Sequence, residues 1–184
     1  MARGATFEYT AILSGPSESP PNASPGTGFA DVKYDDLANT LLVNVTFSGL
    51  IGTTTASHIH ADTTVAGTGT APVATTTPTF AGFPLGVTSG TYNNTLNLTL
   101  PTSYNPAYVT AHGGNAAGAE AALVSALAGG KAYFNIHTSV FPGGEIRGFL
   151  TPASVPDGAA TGPLLVSSLL GLAGFARFRR ARAA

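Results

Sequence analysis

Alternation with a period of two is the feature that most narrows what this chain can become. In "TLLVNVTF", residues 40–47, Leu41, Val43, Val45 and Phe47 alternate with Leu42, Asn44 and Thr46. Successive side chains of an extended strand point to opposite faces, so this spacing gathers the first four on one buried face. "TFEYTAIL" (6–13) reads the same way, and "GFADVKYD" (28–35) aligns Ala30, Val32 and Tyr34. "TLNLTL" (95–100) aligns Leu96, Leu98 and Leu100, and "GEIRGFL" (144–150) pairs Ile146 with Leu150. "KAYFNIHT" (131–138) sends Ala132, Phe134 and Ile136 inward and Tyr133, Asn135 and His137 outward.

Turn chemistry separates these runs. "SGPSESPPNASPGTG" (14–28) is too rich in proline and glycine to be anything but a loop. "YDDLANT" (34–40) offers Asp35, Asp36 and Asn39 for a hairpin turn. One helix is expected, over the Ala-rich 115–130, with Asn115 as its cap and glycines at its end. The expected fold is mainly β: a sandwich or small barrel with one short helix.

Charge narrows the function classes. Only 9% of residues are charged, against about 25% in an average soluble domain. The surface is polar through Thr, Ser, Asn and Gly, which suits a secreted or cell-surface protein. No basic stripe exists to neutralise phosphates, so nucleic acid is excluded as a partner. There is no cysteine; a bound metal would have nitrogen and oxygen ligands only.

Three regions follow: a body over 1–152, a linker over 153–163 and a tail over 164–184. The body carries a net charge of −4 through residue 155, and the rest a net of +3. In the tail, the uncharged run "LLVSSLLGLAGFA" (164–176) precedes Arg177, Arg179 and Arg180. Thirteen apolar residues are short of the roughly 20 that cross a bilayer, and the small residues from Ala159 extend the run to a borderline length.

This layout resembles a PEP-CTERM sorting signal: a short proline motif at Val155–Pro156, an apolar segment and an arginine-rich end. Asp157–Gly158 stands where that signal usually has Glu-Pro. The resemblance implies a Gram-negative bacterial protein. It would be exported, held briefly in the membrane through 164–176, and cut by an exosortase-type enzyme near residue 156. "MARGATFEYTAIL" has neither the basic nor the apolar region of a signal peptide, so the sequence is expected to begin after its natural leader.

The body resembles the CHRD (chordin-type) domain. The matching stretches are "YTAILSGPSESPPNASPGTGFADVKYD", "LLVNVTFSGLIGTTTASHIHAD" and "GGKAYFNIHTSVFPGGEIRGFL". Ser19 departs from the valine usual in that first stretch. The resemblance implies an immunoglobulin-like or Cu,Zn-superoxide-dismutase-like β-sandwich, and little about activity.

"HIH" places His58 and His60 on one face of a strand, with Ile59 opposite. His137 on a second strand, with His112 or Asp62 nearby, would complete a copper or zinc ligand set. Rings converging on one point would mark such a site; rings each bonded to a separate backbone carbonyl would mark a structural role. Glu145 and Arg147 are read as an i,i+2 ion pair rather than an acid/base pair. No nucleophile–base arrangement is visible, so no enzyme is expected. Two functions stand open: a binding or structural surface module, self-associating through strand edges, or a copper- or zinc-binding protein, redox-active in one version. Copper or zinc is the one cofactor that these residues suit.

Overall fold

The computed structural model describes residues 4–153. Eight strands run antiparallel in one curled sheet: β1 (Thr6–Ser14), β2 (Thr27–Asp35), β3 (Thr40–Ser48), β4 (Thr54–His60), β5 (Gly90–Asn97), β6 (Tyr133–Thr138), β7 (Ile146–Phe149) and β8 (Thr151–Pro152). The order is β4-β6-β7-β1-β2-β3-β5, with β8 also paired to β1. This is the mainly β, sandwich-like architecture that the alternation requires.

Register turns alternation into a core. Across β2 and β3, Val32 faces Val43 and Ala30 faces Val45; across β3 and β5, Leu41 faces Leu96 and Val45 faces Tyr92. All seven are buried. The β2–β3 hairpin closes as the residue types dictate. Asp35 Oδ1 accepts from the amides of Leu37 and Ala38, and Asn39 takes a left-handed φ of 50°. Where β7 meets β1 the backbones nearly touch: a Cβ on Gly148 would lie 2.2 Å from the Ile12 carbonyl oxygen. Only glycine fits that approach.

The helix expected over 115–130 is α2 (Ala116–Ala128). Asn115 caps it by accepting from the Gly118 amide at 2.9 Å. Ala116, Ala119, Leu123, Ala126 and Leu127 are buried, spaced as one helical face. A 3₁₀ turn (Pro101–Ser103) and a second helix, α1 (Pro106–Ala111), were not expected. They end the run of leucines: β5 starts at Gly90 and stops at Asn97, Leu98 is buried, and Leu100 is exposed rather than aligned with the core.

The second face of β6 also departs from expectation. Tyr133 and Asn135 are buried, not outward-facing. Loops cover them. The connection after β4 wraps the sheet edge: Phe80 stacks on Phe134 from the core side, centroids 5.9 Å apart. On the opposite side the carbonyls of Ala71 and Pro78 come down over the strand.

Candidate metal centre

Adjacent strands β4 and β6 bring three histidines together on this second face. His58 pairs with Asn135, His60 with Tyr133, and Ala56 with His137. The ring centroids are 5.2 Å (His58–His137), 5.8 Å (His58–His60) and 6.1 Å (His60–His137) apart. One ligand nitrogen from each ring lies within 4.8 Å of the others.

The remaining nitrogens decide what these three can do. His58 Nε2 lies 2.7 Å from the Pro78 carbonyl, His60 Nδ1 2.9 Å from that of Ala71, and His137 Nδ1 2.9 Å from that of Pro142. A carbonyl only accepts, so each of these nitrogens carries the ring proton. The lone pairs are therefore on His58 Nδ1, His60 Nε2 and His137 Nε2. His58 Nδ1 and His137 Nε2 face each other at 3.3 Å, and His60 Nε2 is buried with no partner. Each ring is anchored to a carbonyl through one nitrogen, and in His58 and His137 the free nitrogens face each other.

Two facing lone pairs repel unless a cation sits between them. Ligands of a tetrahedral ion bound at about 2.0–2.1 Å are about 3.3–3.4 Å apart, which is the separation of the His58–His137 pair. Ligating histidines characteristically donate their second N–H to a carbonyl or carboxylate, as all three do. The rings also stay neutral, as ligands must. Burial pushes His58 and His60 down to about 4, against the pull of their carbonyl partners, and lowers His137 as well.

Tyr133 supports the centre from one side. Its ring stacks on His60 at 4.7 Å and 7°, and its hydroxyl meets Ala71, the residue whose carbonyl holds His60. Arg147 lies over the Tyr133 ring at 4.8 Å and donates to the carbonyls of Ser17 and Gly69. Two loops, the one between β1 and β2 and the one after β4, are thereby tied to one strand face.

The other expected site residues lie elsewhere. His112 ends α1, its Nδ1 2.8 Å from the Tyr108 carbonyl. Asp62 is exposed and outside the cluster. Glu145 and Arg147 do not form the expected ion pair. Glu145 is buried and accepts from Ser24, Thr138 and the amides of Ile51 and Gly52. Burial alone would raise its carboxyl; these donors outweigh it and hold it below the usual range. Arg147 instead pairs at 3.9 Å with buried Glu18, a residue the sequence reading passed over inside a loop. Burial pushes the Glu18 carboxyl up to about 7 despite Arg147 beside it. Val155, Pro156, Arg177, Arg179 and Arg180 lie outside the described residues, as does the segment 164–176.

Fold and site together define a mainly β domain with a partly buried three-imidazole centre. Residues 9–150 match the CHRD domain, and the chain belongs to that family. CHRD domains are typical of secreted proteins. No curated protein and no solved structure matches the chain. Among the described residues, no helix is long and apolar enough to cross a membrane.

Proposed function

We propose that this protein is an exported CHRD-domain binding module that holds one divalent transition-metal ion, zinc or copper, on His58, His60 and His137. The observation that carries this reading is the convergence of three imidazoles, one ligand nitrogen of each within 4.8 Å of the others, with every ring also locked by a backbone carbonyl. A donor set of nitrogen alone suits zinc and copper better than magnesium or calcium. The ion would act as a clasp, since its ligands are anchored to two different connections, the one after β4 and the one between β6 and β7. The deciding experiment is elemental analysis of the purified, untagged chain beside a His58→Ala/His60→Ala variant. Close to one zinc or copper per chain, lost in the variant, is expected. No uptake by the wild type after loading with Zn(II) and Cu(II) would overturn the reading.

The tail supports a bacterial surface or matrix location. Its proline motif, apolar run and arginines suit recognition by an exosortase-type enzyme after transient membrane contact through 164–176. In a Gram-negative host with such an enzyme, the mature chain is expected to end near Pro156 by mass spectrometry; a chain still ending at Ala184 would contradict this. Self-association has a natural place at β5, an edge of the sheet order whose Thr91, Asn93, Thr95 and Asn97 are exposed.

A further inference from the structure

Two buried polar atoms without a partner share the strand face of the centre: His60 Nε2 and Asn135 Oδ1. Asn135 lies directly across from His58 and two residues before His137, so it projects from the face that carries all three imidazoles. Directly opposed residues begin only about 4.5–5.5 Å apart at Cβ.

Chemistry fixes which way its amide points. Nδ2 donates to Glu18 Oε1 at 2.7 Å, and that bond turns Oδ1 away from Glu18. Arg147 holds the other Glu18 oxygen at 3.9 Å. Gly144, at φ 132°, closes over the pair so tightly that a Cβ there would lie 2.4 Å from Asn135 Nδ2. The amide is locked, and its oxygen is left as an acceptor on a side chain only 2% exposed. A buried acceptor with nothing to accept from is costly and rare.

Resting on the metal reading above, we propose that Asn135 is a positioning residue of the centre, whose Oδ1 accepts a hydrogen bond from water held at the metal's fourth position. Three imidazoles leave a tetrahedral ion one such position. Water there satisfies Oδ1; an anion without hydrogen, such as azide, strands it again. Asn135 thus biases the centre toward ligands that can donate.

The test is azide titration of the Co(II)-loaded full chain, read from the visible d–d bands, in wild type, Asn135→Leu and Asn135→Asp. Wild type takes up one Co(II). Asn135→Leu, with no acceptor to strand, should bind azide about ten-fold more tightly. Asn135→Asp, with a carboxylate beside the incoming anion, should bind it more weakly. Asn115→Ala, destabilised but remote, should match wild type. Equal azide affinity in wild type and the Asn135 variants overturns the proposal, as does an equal shift in Asn115→Ala. If Asn135→Leu does not fold, Asn135→Asp decides alone: unchanged affinity overturns it. Failure of wild type to bind Co(II) is seen before azide is added, and overturns the metal reading itself.

Discussion

Glu145 is fully buried and meets four donors: two hydroxyls, from Ser24 and Thr138, and two backbone amides, from Ile51 and Gly52. Glu145→Gln keeps the size but, whichever way its amide turns, sets an NH₂ against a backbone amide that can only donate. The expected loss is about 2–4 kcal/mol, read by urea unfolding at pH 7. Because the folded carboxyl is held below its usual range, its contribution is fully present above about pH 4.5. It fades as pH falls through the folded value, so the variant should show a flatter acid limb than wild type. The i,i+2 spacing of Glu145 and Arg147 does place them near one another, but spacing says nothing of competitors. Four short-range donors claim the carboxylate, and Glu18, far away in sequence, claims the guanidinium. At the histidines the reverse holds. "HIH" is legible because strand period forces both rings to one face. The carbonyls of Ala71, Pro78 and Pro142 are not, because loops carry them there and no pattern marks a backbone acceptor.

Elements were legible in proportion to their length and their punctuation. α2 announces itself with a capping asparagine, an alanine-rich body and terminal glycines. Asn115→Ala should cost about 1 kcal/mol, or about 2–4 °C in Tm for a domain of this size, measured by thermal unfolding. Leu123→Ala, at a fully buried position of the same helix, should cost about 2–5 kcal/mol because it adds a cavity to the lost burial. An equal effect for the two variants would contradict the packing described. α1 spans six residues and the 3₁₀ turn three, less than two helical turns each, so neither has room to display a period. β6 shows a different limit. Its alternation names the inward set, Phe134 and Ile136, correctly. Alternation is silent about whether the other face meets water or loops, and here loops bury Tyr133 and Asn135.

At the scale of the whole molecule, the second face makes stability a function of pH and metal together. His58 and His60 have folded values near 4, and His137 is also lowered. The unfolded chain therefore takes up protons that the fold refuses as pH drops below about 6.5. Stability from these groups is present above that pH, falls through the window down to about 4, and then levels off. Glu18 works in the opposite sense. Its folded value near 7 lies above the usual range, so acidification between about 7 and 4.5 favours the fold through that one group. Three imidazoles outweigh one carboxyl, and the metal-free protein should unfold at lower urea concentration at pH 5 than at pH 7. Metal adds to the difference, because a ligand that binds only the folded state stabilises by about 2.7 kcal/mol at a hundred-fold excess over its Kd, and protons compete for the same lone pairs. Zinc should therefore raise Tm by roughly 5–10 °C at pH 7 and by much less at pH 5. The His58→Ala/His60→Ala variant should lose the zinc effect at both. A zinc shift of equal size at pH 5 and 7, or one that survives in the variant, would place the ion somewhere other than between these three rings.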